Sequence, residues 1–219
     1  MTGMKNAVVV LGGSFNPPTI AHAKLISCAL DATGAPTGVL IPSSHAYVSR
    51  KCSRTGGRLV FTEQERLGML SETAAADPRV EIRTFEFGDD GRGHTYRTMQ
   101  LAQKTYPGRR CLFLLGADKL RIVPRWHDAE KFLSEFGIVA TSRSGSDAER
   151  LIRARPMLSA HAGNITVIPT PEGLESVSSS LFQEKLLAGD PSAAELVTPY
   201  VYGLASEIAK TRKPKEKRK

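Results

Sequence analysis

Residues 7–11 read Ala-Val-Val-Val-Leu and run straight into Gly12-Gly13. A continuous apolar run rich in β-branched residues marks a strand buried on both faces, because a half-exposed strand alternates apolar with polar positions. Further strand-like runs stand at Gly38–Pro42, Arg110–Leu115, Gly137–Thr141 and Ile165–Ile168, and Val80–Phe87 alternates as one more strand. Between them the apolar positions take helical spacing: Thr19–Ala32, Thr62–Ala75, His94–Tyr106, Asp128–Glu135, Asp147–Ala154, Ser179–Ala188 and Val197–Ala209. Thr62 and Glu65 form a capping-box pair at one helix start, and Pro107-Gly108 stops another. Strands alternating with helices through short connections predict a doubly wound parallel α/β sheet with helices on both faces. The expected organisation is one domain over residues 1–209, with a small helical extension over about 178–209 and a basic disordered tail at 210–219. In such a sheet ligands bind outside the carboxyl ends of the strands. The loops after Leu11, Pro42, Leu115 and Thr141 are therefore the expected functional rim.

Charge and cysteine content narrow the function. The formal charge is +8, but the last ten residues hold seven Lys/Arg and one Glu, so +6 sits in the tail and +2 in the other 209 residues. A nearly neutral body argues against a nucleic-acid-binding module, and such a charged run reads as a solvated tail. Cys28, Cys52 and Cys111 are odd in number and irregularly spaced, which fits neither a disulfide framework nor a zinc site. No apolar run approaches the roughly 20 residues needed to cross a bilayer, and no secretory leader is legible. A cytoplasmic protein is expected; for a eukaryotic source, the KRK end would also suit a nuclear address.

The loop after the first strand carries the chemistry: Gly12-Gly13-Ser14-Phe15-Asn16-Pro17-Pro18-Thr19-Ile20-Ala21-His22. Strand, glycines and helix start together make a phosphate cradle. Glycines let backbone N–H groups approach phosphate oxygens, and the helix N-terminus adds partial positive charge. Thr19 and His22, three apart, share one face of the first turn.

This string resembles the G-G-x-F-[DN]-P-x-[HT]-x-x-H signature of the nucleotidylyltransferase superfamily, and most of all that of the nicotinamide/nicotinate mononucleotide adenylyltransferases. Four further segments follow in order: Ala46-Tyr47 with Arg50-Lys51, Leu115-Gly116-Ala117-Asp118 with Trp126, Val139 to Gly145, and Val177-Ser178-Ser179-Ser180. The resemblance covers most of the chain before the tail. It implies a Rossmann-like sheet and a reaction in which the 5′-phosphate of a pyridine mononucleotide attacks the α-phosphorus of ATP. The acid or amide form of the pyridine is left open, as is assembly into a homo-oligomer.

The resemblance also implies roles. His22 and Thr19 serve catalysis; Gly12, Gly13, Ser14, Phe15, Ser178, Ser179, Arg143 and Asp118 hold ATP and its phosphates; Arg50, Lys51, Thr95, Thr98 and Trp126 hold the mononucleotide. The magnesium ion comes with ATP, and no dedicated protein metal site is expected. Ser49–Arg58 reads as a loop with four cations and no acid. One departure stands out. The family's serine-rich signature ends in an arginine at the position of Gln183, and a neutral amide there loses a charged phosphate contact. Two alternatives follow: a nucleotide-binding paralogue without activity, or a related transferase with another phosphorylated acceptor.

Overall fold

The computed structural model describes residues 5–56, 58–89, 94–142, 145–174, 176–212 and 214, of Gly145 and Ser146 the backbone only. Six parallel strands form one sheet: β1 (Ala7–Gly13), β2 (Thr37–Pro42), β3 (Val80–Ile82), β4 (Arg110–Gly116), β5 (Gly137–Ser142) and β6 (Ile165–Pro169), in the order β3-β2-β1-β4-β5-β6. The strand order reverses between β1 and β4, whose register sets Val8 beside Cys111 and Val10 beside Phe113. That junction is the switch point where such sheets bind ligands.

The unbroken apolar character of β1 has a direct cause. Val8 and Val10 enter one core with Val39, Met99, Phe113 and Phe132, while Ala7, Val9 and Leu11 enter the opposite core with Ile26, Leu30 and Leu70. Helices α1 (Ile20–Thr33) and α3 (Glu63–Ala74) cover the second face, and α4 (Thr95–Thr105) and α5 (Ala129–Glu135) cover the first. Helix α1 lies so close to β2 that a Cβ on Gly38 would stand 2.9 Å from Ile26 Cδ1. Glycine is needed there for close approach. Helices α6 (Gly145–Arg153) and α7 (Pro156–Ala160) precede β6.

A separate core joins the C-terminal helices to the body. Helices α8 (Ser179–Leu187) and α9 (Pro199–Thr211) bury Phe182, Val201, Ala205 and Ile208 against Leu59, Phe61 and Met69. Helix α9 runs two residues beyond its expected end. Arg212 then forks onto both carboxylate oxygens of Glu65, at 2.8 and 2.9 Å, and donates to Val60 O at 3.1 Å. Of the expected tail, residues 210 and 211 continue the helix and Arg212 is anchored, while 213 and 215–219 lie outside the described residues.

Two sequence expectations are corrected. The strand expected over Val80–Phe87 ends at Ile82. After Arg83 N bonds Leu40 O, turn bonds from Phe87 N to Thr84 O and from Asp89 N to Glu86 O fold the chain off the sheet edge. The cationic segment Ser49–Arg58 is not a loop. Most of it belongs to helix α2 (His45–Thr55), capped by Ser44 Oγ accepting from Tyr47 N. Its buried stripe consists of Val48 and Cys52 alone, too thin to stand out among its polar neighbours.

Candidate active site

The carboxyl ends of β1, β2, β4 and β5 open onto a cleft of three adjoining lobes. The first, about 590 Å³, is lined by Gly12, Gly13, Thr95, Thr98 and Trp126. The second, about 400 Å³, is lined by His22, Arg58 and Ser178 to Ser180. The third, about 330 Å³, is lined by Gly116, Asp118, Thr141 and Ser142. Ser14, Lys51 and Lys119 belong to both the first and second lobes, Ala21, Leu25 and Val177 to both the second and third, and Gly116 to both the first and third. The cleft is therefore continuous.

The central lobe is built by the loop after β1. Phe15 takes φ +40°, in the left-handed region that a bulky residue rarely enters, and its ring is buried. That ring meets the imidazole of His22 edge-on, with centroids 4.9 Å apart. Phe15 thus backs His22 rather than lining a lobe. Thr19, at the N-cap of α1, donates its backbone N–H to His22 Nδ1 at 3.0 Å, and its Oγ1 lies 2.9 Å from the same nitrogen. With Nδ1 accepting, the ring proton sits on Nε2. Burial is the main cause that lowers the His22 pKa to about 4, and the charge of Lys51 adds to it. At neutral pH, His22 is an uncharged donor with a fixed tautomer.

Around it the chain concentrates positive charge. Lys51 Nζ donates to Ser14 Oγ at 3.2 Å. Desolvation in the cleft lowers its pKa, and the charges of Arg58 and Lys119 push the same way. Ser178 Oγ caps α8 by accepting from Leu181 N at 3.1 Å, and Ser179 Oγ donates to Pro17 O at 2.7 Å, which joins α8 to the loop after β1. Arg66 is fully buried behind the rim. It donates to Ser14 O at 2.8 Å and Ser43 O at 2.5 Å, bracing the loops after β1 and β2, and burial lowers its pKa to about 10.

The first lobe carries the aromatic side chains. Trp126 stands edge-on to Phe113 and Phe132, with centroids at 5.8 and 5.5 Å. His94 and His127 stack 4.4 Å apart at its edge. Deeper in, Thr98 is buried and donates to Glu86 Oε1 at 2.7 Å. Burial raises the Glu86 pKa above the usual carboxylate range, and bonds from Thr98 and Ser43 work against that. Asp118, an exposed carboxylate on the 3₁₀ turn Ala117–Arg121 after β4, pairs with Lys119 at 2.8 Å.

Most of the residues singled out from the sequence therefore share one cleft: Gly12, Gly13, Ser14, Thr95, Thr98 and Trp126 in the first lobe, His22, Ser178 and Ser179 in the second, Lys51 in both, and Asp118 in the third. Thr19 is buried behind His22. Arg50 is exposed on α2 and lines none of the three lobes. Arg143 lies outside the described residues. Gln183 does not face the cleft as its place in the motif suggests: it is buried, with both ends of its amide bonded to backbone. Sequence reasoning missed Glu86, hidden in a segment read as strand, and Lys119, although Lys119 directly follows the Gly-Ala-Asp run. Arg66 carried no signal beyond being a cation within an otherwise ordinary helical pattern.

Comparison with known proteins shows the family. Residues 10–185 match the model of the cytidylyltransferase-like family. The chain is 26% identical over 198 residues to the protein named probable nicotinate-nucleotide adenylyltransferase of Shouchella clausii, covering 90% of this chain and 93% of that one. It is 30% identical over 142 residues to the protein of the same name from Rhizobium meliloti, covering 64% and 70%. In fold it is similar to the nicotinic acid mononucleotide adenylyltransferase of Plasmodium falciparum complexed with NaAD, with TM-score 0.70 and 16% identity over 94% of this chain and 98% of that one. With the family match spanning most of its length, the chain belongs to the cytidylyltransferase-like family.

Proposed function

We propose that the protein transfers the AMP moiety of ATP to nicotinic acid mononucleotide, giving the acid dinucleotide and pyrophosphate. The observation that carries this reading is the three-lobed cleft: a flat aromatic seat in one lobe, a neutral imidazole among cations in the second, and a carboxylate-bearing turn in the third, all meeting around the carboxyl ends of β1 and β4. A dinucleotide has three matching parts: pyridine nucleoside, phosphates, adenosine. The names of the relatives favour the acid form of the pyridine.

In this reading an oxygen of the mononucleotide phosphate attacks the α-phosphorus while the bond to the bridging oxygen of pyrophosphate breaks. The nucleophile is already an anion, so the site's work is alignment and stabilisation of charge on the phosphoryl oxygens. His22 donates from Nε2 to the α-phosphate, and Thr19 holds the ring in that tautomer. The N–H groups of Gly13 and Ser14, with Ser178 and Ser179 at the start of α8, receive the phosphates. Lys51 balances the charge of the attacking phosphate. Trp126 and Thr95 seat the pyridine, and Asp118 accepts from a ribose hydroxyl. Magnesium bound to the triphosphate would draw charge from its oxygens. Among the described residues, the third lobe offers one carboxylate, Asp118, to order water around such an ion, which suits an ion held mainly by phosphates and water.

The test mixes the protein with ATP, Mg²⁺ and either mononucleotide, and follows dinucleotide and pyrophosphate by chromatography. Equal amounts of the two products, formed faster with the acid acceptor, are expected. ATP binding without product from either acceptor would rule the reading out. The case for an inactive paralogue rested on Gln183, and that residue does not face the phosphates.

A further inference from the structure

The segment that follows α2 runs Arg58-Leu59-Val60-Phe61, and its backbone is held from two sides. Gln183 Oε1 accepts from Leu59 N at 2.7 Å, while Gln183 Nε2 donates to Asn16 O at 2.7 Å and to Leu59 O at 3.3 Å. Asn16 donates to Leu59 O at 2.8 Å and accepts from Phe61 N at 3.0 Å. Both amide side chains are buried. Leu59 is thereby fixed between the loop after β1 and helix α8, and the neighbouring Arg58 side chain lines the same lobe as His22, Ser178 and Ser179.

Among the described residues no carboxylate lines that lobe, and none pairs with Arg58. Of the neighbouring cations, Lys119 pairs with Asp118, while Lys51 donates to the neutral Ser14 hydroxyl. Arg58 stands near enough to depress the pKa of Lys51. A half-buried guanidinium placed among like charges, without an acid, is suited to a polyanion that arrives from outside.

We infer that Arg58 grips the pyrophosphate portion of ATP, and that Gln183 is its positioning residue. The anion's identity rests on the adenylyltransferase reading. The charge missing from helix α8 at position 183 is supplied from the segment which that position clamps. A guanidinium can fork onto two phosphate oxygens at once, which a lysine cannot.

The experiment measures equilibrium binding of ATP and of inorganic pyrophosphate, with Mg²⁺ and no acceptor, to the full chain and to R58A, R58K, Q183L and the R58A/Q183L double variant. R58A should weaken both ligands about 10- to 100-fold, with R58K recovering part of the loss and the melting temperature unchanged. The KM for the mononucleotide should move less than about twofold. Q183L should weaken ATP binding, yet the double variant should bind no worse than R58A, because Gln183 acts through Arg58. Wild-type ATP binding by R58A, or a loss confined to the mononucleotide KM, would overturn the role of Arg58. Additive losses in the double variant would overturn the role of Gln183. Absence of dinucleotide product alongside these binding changes would instead count against the acceptor, since no acceptor enters the binding measurement.

Discussion

The central and aromatic lobes of the cleft are built in opposite ways. In and behind the central lobe polar groups are tied down by other polar groups: His22 by Thr19, Asn16 and the buried Gln183 by the backbone of Leu59, Ser179 by Pro17. In the aromatic lobe Trp126 is half-buried and held by ring edges, and His94 and His127 stack in the open. The difference fits the work proposed for each lobe. Stabilising charge on a phosphoryl oxygen depends on donors aimed before the reaction begins. Seating a flat ring depends on a surface of the right shape, which packing alone can provide. Substitutions in the central lobe should therefore strike turnover, and those in the aromatic lobe should strike acceptor affinity.

The largest effect expected is that of His22→Ala. Losing the aimed donor should lower kcat about 100- to 1000-fold, and steady-state kinetics at saturating ATP would read it. A rise in KM for the mononucleotide as the main effect, with kcat nearly intact, would break the contrast between the lobes. Next comes Arg66→Met, which leaves the carbonyls of Ser14 and Ser43 without their shared donor. It should destabilise the fold by about 2–3 kcal/mol in denaturant unfolding. Unchanged stability would mean that the rim loops hold their shape without this brace. Trp126→Ala should raise the mononucleotide KM about tenfold and leave kcat nearly intact, since a stacked ring contributes about 1 kcal/mol.

The smallest effect is a pH dependence. The folded chain holds His22 near pKa 4, whereas the unfolded chain titrates near 6.5. Between these values the unfolded state binds more protons, so the His22 contribution to stability is present above about pH 6.5 and is lost as pH falls toward 4. An NMR titration should place the His22 midpoint near 4, and His22→Asn should flatten the acid limb of the stability curve. A midpoint near 6.5 would mean that the ring is solvated and not pre-aimed.

The two lobes also differ in how far the sequence reveals them. The turn from β1 into α1 is legible because the strand, the glycines, Thr19 and His22 lie within sixteen consecutive residues. The alternation of strands and helices likewise foretells the sheet, since burial on both faces forces continuous apolar runs. What stays hidden depends on distant partners. Gln183 contacts Leu59 across 124 residues, and no local pattern tells a buried clamp from a phosphate ligand. Helix α2 hides behind a two-residue buried stripe. Glu86 hides because β3 is an edge strand that turns away after Ile82, placing a residue that alternation assigns to the sheet inside the cleft instead.

The central claim is that the α-phosphorus is transferred in front of His22, and label tracing tests it most directly. ATP labelled at the α-phosphorus, and separately at the γ-phosphorus, would be incubated with the protein, Mg²⁺ and nicotinic acid mononucleotide. The account predicts α-label in the dinucleotide, γ-label in free pyrophosphate, and loss of both transfers in His22→Ala while ATP remains bound. Label from the γ-phosphorus on the acceptor, or full α-transfer by His22→Ala, would contradict it.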